Sequence, residues 1–146
     1  MTDRRAGLIA AMKAAGCGDP RSWVNSELGE DLPQFARFLV LRDVHALADD
    51  VEGALSEALF DRPELEQTLA ALRGAVDPQA LHALLRAYGK ALGNSFVMAV
   101  DEGPAMREDG MPGWVLMETG VDDEPTGRVV QGLHEDYMAF EGSGAP

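Results

Sequence analysis

The residues with the most chemical potential are scattered singly or in incomplete motifs. Asp122-Asp123-Glu124-Pro125-Thr126-Gly127 places an acid at the first position and glycine at the sixth of a calcium-loop pattern. The twelfth position is Leu133, where a bidentate carboxylate is needed to close the coordination sphere around a hard cation. The hexapeptide therefore reads as a solvated hairpin loop. Gly89-Lys90 resembles the end of a phosphate-binding loop, yet Leu84 stands where its first glycine belongs. The pair also falls inside a predicted helix, whose amides already bond one another.

Three histidines are present, His45, His82 and His134. His134-Glu135 begins like the zinc motif HExxH, but Met138 occupies the place of the second histidine. His45 and Asp49 share a helix face at i and i+4, a spacing that suits a surface hydrogen bond better than a metal with only two protein ligands. Beside Glu135 and Asp136, His134 reads as part of the capped start of the last helix, where acids favour the N-terminal dipole. Cys17, the single cysteine, excludes a disulfide framework; it lies at a predicted helix C-terminus, whose dipole disfavours a thiolate. Ser22, Ser26, Ser56, Ser95 and Ser143 have no nucleophile-elbow context. No catalytic residue, metal ligand or cofactor is assigned, and an enzyme is the lesser expectation.

The elements that must position these residues are mostly helical. Thr2 reads as the N-cap of a short helix ending at Gly16, and Asp19-Pro20 starts a second that ends near Gly29. From about Pro33 to Phe60 apolar residues recur with a period near 3.6, from Phe35 and Phe38 through Leu47 to Leu55 and Leu59, which predicts one long core helix. Gly53 marks a break or a close approach within it. Asp61-Arg62-Pro63 and Asp77-Pro78 each end one helix and start the next, with stripes through Leu65, Leu69, Leu72 and Val76, then Leu81, Leu84, Leu85, Tyr88 and Leu92 up to Gly93. The helix starts are unevenly spaced, so a solenoid is excluded.

After Gly93-Asn94 the period changes. Phe96 to Val100 reads as a buried strand, Asp101 to Pro112 as a long loop, Trp114 to Glu118 as a second strand, and Arg128 to Gln131 as a third strand beyond the acidic loop Gly120 to Gly127. Leu133 to Phe140 reads as a short final helix, and 142–146 as a disordered tail. The expected fold is a single α+β domain over 1–141. About five N-terminal helices form a layer packed against a small antiparallel sheet of two or three strands.

A chain of 146 residues is long enough to bury a core without staples. Its net charge of −13 argues against nucleic acid or anionic lipid as partner and favours a basic protein. Eleven acids lie between Asp101 and Glu141 against only Arg107 and Arg128. Apolar anchors surrounded by charge are common in protein interfaces. The predicted partner-binding residues are therefore Glu102, Glu108, Asp109, Met111, Trp114, Asp122, Asp123 and Glu124. No signal peptide or membrane span is read, so a cytoplasmic setting is expected.

In size, acidity and helix-then-sheet order the chain resembles bacterial immunity proteins, which mask the often basic active site of a toxin. Leu32-Pro33-Gln34-Phe35-Ala36-Arg37-Phe38-Leu39 resembles the leucine-proline helix start of the SUKH immunity superfamily over those eight residues. The long helices that follow depart from that family's sheet-rich pattern. The resemblance implies an inhibitor-like acidic binder. Two other functions stay open: a homodimeric regulatory or assembly module, and a small-molecule binder or enzyme with a pocket of its own.

Overall fold

In a computed structural model, the backbone is described for residues 2–103 and 109–143 and the side chains for 3–103 and 109–140. Among these residues there are seven helices and one two-stranded antiparallel sheet: α1 Thr2–Ala14, α2 Pro20–Glu30, α3 Gln34–Asp49, α4 Val51–Asp61, α5 Glu66–Ala75, α6 Pro78–Glu102, β1 Leu116–Thr119, β2 Pro125–Val130 and α7 Leu133–Ser143. A single 3-10 turn, Pro63–Leu65, leads into α5.

Local capping explains most of the helix bounds. The Asp19 carboxylate accepts the Ser22 N–H at 3.2 Å and Pro20 occupies the first turn of α2, where its missing N–H leaves nothing unpaired. Asp77 does the same for α6 through the Ala80 N–H at 2.8 Å. At the end of α2 the chain turns through Asp31 at φ 53°, a left-handed conformation that aspartate tolerates better than most residues.

Three expectations are corrected. The predicted single helix from Pro33 to Phe60 is two helices, because Asp50 leaves helical geometry and its carboxylate caps the Gly53 N–H at 3.0 Å. Gly93 does not end the preceding helix, and Phe96 to Val100 is not a strand: α6 runs unbroken for 25 residues through Gly93-Asn94. In that segment only Val97 is fully buried, while Phe96 is exposed, so the apolar run meets the core on one helical face. Finally, Arg128 to Val130 belongs to the same strand as Pro125 to Gly127, so the acidic connection is a tight turn. Leu116 pairs with Val130 and Met117 with Val129; an irregularity follows, with Thr119 opposite Pro125.

The chain divides into two compact units, one of Met1–Asp43 with Asn94–Pro146 and one of Val44–Gly93. The first unit has a conventional core. Met12, Val24, Leu41, Val97, Leu133 and Tyr137 are completely buried there. Phe38 contacts two other rings, Trp23 edge-on at 5.8 Å and Phe140 at 5.5 Å, geometries in which ring edges meet ring faces favourably.

The second unit is different. Among its described residues only Val51 and His45 are buried, and α5 buries none. The stripes predicted to form core on α5 and α6 lie largely in solvent: Leu65, Leu72, Val76, Leu84, Tyr88 and Leu92 are all exposed, as are Leu47 and Phe60.

Candidate functional site

The described residues among the predicted partner-binding set all belong to the first unit, and Glu108 lies outside the described residues. Glu102 ends α6, and Trp114, more than half exposed, lies against Gly103, where an added Cβ would stand 2.3 Å from the indole. The indole N–H donates to the Ala99 carbonyl at 3.2 Å. Glu102 and Trp114 thus share the wall of an open hollow of about 420 Å³ with Asn94 and Met98. Asp109 and Met111 are exposed.

Asp122, Asp123 and Glu124 form the hairpin turn. Asp122 Oδ1 accepts the Glu124 N–H at 3.3 Å, Asp123 adopts φ 62°, and the Gly120 N–H bonds the Glu124 carbonyl at 2.9 Å. Of the three acids, Asp122 serves the turn through its side chain and Asp123 through its backbone conformation. Among the described residues no group of three or more His, Cys, Asp or Glu is placed to hold a metal ion.

The histidines have structural surroundings. His134, second residue of α7, donates its backbone N–H to Asp101 Oδ2 at 2.9 Å, while its Nδ1 lies 2.7 Å from the same oxygen. A carboxylate from the end of α6 therefore caps the start of α7. The hydrogen bond to Asp101 raises the His134 pKa, and the nearby charges of Asp101, Glu135 and Glu102 add to it. In the second unit, Lys90 Nζ reaches His45 Nδ1 at 2.9 Å, the His45 carbonyl at 3.1 Å and Asp49 Oδ1 at 2.9 Å. Burial works to raise the Asp49 carboxyl, but hydrogen bonds from Lys90 and from Arg86, 2.7 Å away, outweigh it and hold the pKa below the usual value. The Gly89-Lys90 pair thus has a packing role. A Cβ at Gly89 would stand 3.2 Å from Ala48 Cβ, so glycine permits α6 to approach α3 closely enough for Lys90 to reach across. Cys17 is buried, and burial pushes its thiol pKa up.

Two buried arginine networks were not legible as sites. Arg128 on β2 meets Glu27 Oε1 at 3.2 Å and Glu118 Oε2 at 3.3 Å, and donates to the Leu32 carbonyl. The other Glu27 oxygen accepts the Phe35 N–H at 2.8 Å, serving an amide in the first turn of α3. Arg37 donates to Gln34 Oε1, the Gly132 carbonyl and Asp136 Oδ2, each at 2.6 Å. Arg37 and Asp136 border a hollow of about 290 Å³ with Ser22, Ser26, Trp23 and Phe140. The one legible hint was that Arg128 is a rare cation in an acidic stretch.

An uncharged apolar face lies on α6. Helical spacing aligns Ala83, Ala87 and Ala91 in one row and Leu84, Tyr88 and Leu92 in the row beside it, all exposed. Leu84 is 66 % exposed, Tyr88 62 % and Leu92 52 %. The only charges between Pro78 and Val100 are Arg86 and Lys90, and both turn to Asp49. The exposed face is therefore uncharged in a chain of net charge −13.

No family model, curated protein or solved structure matches the chain. No helix among the described residues is long and apolar enough to cross a membrane.

Proposed function

We propose that this chain is a protein-interaction module that works through the uncharged face of α6. The observation that carries this reading is the second unit itself: 50 residues of helix and turn with one buried aliphatic side chain, Val51, and a row of more than half-exposed Leu84, Tyr88 and Leu92. A segment of that length has too little internal burial to offset its ordering entropy alone. A contiguous exposed apolar face is a common feature of surfaces that are covered by a partner. Leu84→Glu with Tyr88→Glu should abolish capture of the partner by the tagged protein in extracts of its own cells. The same partner recovered with wild type and with this variant would refute the assignment.

A second reading is an immunity-like or inhibitor-like acidic binder that masks a basic protein. It is favoured by the exposed turn Asp122-Asp123-Glu124 in the same unit as the exposed Met111 and Trp114. Binding of that kind should weaken steeply as salt rises and should depend on the turn acids. Asp122→Asn, Asp123→Asn and Glu124→Gln together would remove the attraction while leaving α6 unaltered. Capture that is insensitive to both salt and these substitutions would refute it.

A further inference from the structure

We infer that the occupant of the α6 face is a second copy of this chain, packed helix against helix in a two-fold dimer; the inference rests on the proposal that this face is an interaction surface. Leu84, Tyr88 and Leu92 form a ridge at steps of four residues, and Ala83, Ala87 and Ala91 form a furrow beside it at the same step. Ridges of this kind pack into furrows of this kind when two helices cross at roughly −50°. One face supplies both halves, so two copies related by a two-fold axis can each insert a ridge into the other's furrow. A partner of different sequence has no need of such self-complementarity.

Charge points the same way. A basic partner would be recognised by acids, and the face carries none between Ala83 and Leu92. Two copies can instead meet there without burying a charge, keeping their carboxylates in water, where salt screens the mutual repulsion. Area is compatible. Three large side chains, each more than half exposed, offer together with the three exposed alanines on the order of 400 Å² of apolar surface. That is about half of the ~800 Å² one partner contributes to a standard interface, and an apolar centre of that extent requires only a polar rim around it.

Sedimentation velocity on the full chain tests the inference. The wild type should sediment with about twice the 15.6 kDa chain mass, and raising salt should leave the dimer unchanged or tighten it. Ala87→Leu fills the furrow while keeping the face apolar, and Leu84→Glu places a charge on the ridge. Each should weaken the dimer by at least roughly 30-fold, the scale of a hot-spot loss. Because a variant that cannot pair may also lose structure, Ala87→Cys provides a second measurement. Cys17 is buried, so a short bis-maleimide should link two copies through the introduced thiol. The exposed control Glu57→Cys should not be linked. A wild type that is monomeric at every concentration and salt overturns the second copy as occupant. If α6 variants of such a monomer still lose a different protein, the interaction-module reading survives that failure. A dimer indifferent to both Ala87→Leu and Leu84→Glu, with no Ala87→Cys linkage, overturns the second copy on this face, and equal capture by wild type and the glutamate double variant would overturn the module reading as well.

Discussion

Replacing Arg128 with methionine should cost the first unit about 3 kcal/mol of stability. The side chain of Arg128 is 22 % exposed, whereas Glu27 is 4 % and Glu118 16 % exposed. The substitution keeps most of the aliphatic stem but leaves both carboxylates without their guanidinium. Removing one partner of a buried ion pair costs about 3–5 kcal/mol, because the remaining charge stays desolvated. Water reaches part of Arg128, which favours the lower end. A chain of this size loses about 2–4 °C of melting temperature per kcal/mol, so the expected fall is roughly 6–12 °C. Both tryptophans, Trp23 and Trp114, belong to the first unit, so their fluorescence reports its unfolding.

The companion variant Glu27→Gln with Arg128→Met separates this cause from general damage. Glutamine retains an oxygen for the Phe35 N–H, which Glu27 now holds at 2.8 Å, and it removes the more deeply buried of the two stranded charges, leaving Glu118, which still accepts from the Thr126 hydroxyl at 3.0 Å. Most of the loss should then be recovered, to within about 1–1.5 kcal/mol of wild type, the scale of one ordinary hydrogen bond. An Arg128→Met protein that melts within 2 °C of wild type, by the ~2 °C per kcal/mol scale, would refute the assignment of this network as a stabilising element. So would a double variant as unstable as the single one.

The Asp101–His134 contact should give a pH dependence of the opposite sign to ordinary acid unfolding. The His134 pKa is raised above 6.5, so its contribution is fully present below that value and is lost as pH rises through the raised pKa. Melting curves of wild type and His134→Ala, compared between about pH 5 and 9 around the imidazole range, should diverge on the acid side and converge on the alkaline side. Asp49 has a lowered pKa, so its contribution is present above 3.8 and is lost as pH falls through its folded value. Lys90→Met should move the Asp49 titration, followed by carboxyl NMR shifts, upward; an unchanged titration would contradict the assigned hydrogen bond. Asp50→Ala removes the cap on the Gly53 N–H and should destabilise α4 by about 1 kcal/mol, read by far-ultraviolet circular dichroism in denaturant.

What could be read from the residues alone was local. Asp19-Pro20 and Asp77-Pro78 start α2 and α6 because a carboxylate cap and a proline act within one turn of themselves. The break at Asp50 was harder to place, since the apolar period continues across it and Gly53 is the more conspicuous breaker; the capping bond runs from one to the other. Phe96 to Val100 illustrates the opposite failure. A short apolar run after Gly-Asn carries the pattern of a strand, but α6 already supplies the amide ladder, and burial of Val97 with exposure of Phe96 requires only one helical face. The Glu27–Arg128 contact joins residues 101 positions apart, so no local periodicity announces it.

The same reasoning changes the meaning of the α6 stripe. Period alone identifies Leu84, Tyr88 and Leu92 as core-type residues, and chemically they are; it says nothing of which chain provides the covering surface. In the first unit the apolar stripes close on Tyr137, Leu133 and Phe38 from the same chain. In the second unit the stripe stays in solvent, although the two charges of the helix there, Arg86 and Lys90, are already paired with Asp49. Pairing of those charges with Asp49 leaves an uncharged exposed face, and the proposed interface rests on the core-type pattern of that face. The acidic C-terminal segment also exposes Met111, Trp114 and Val121, but among acids, whereas the exposed row of α6 is free of charge.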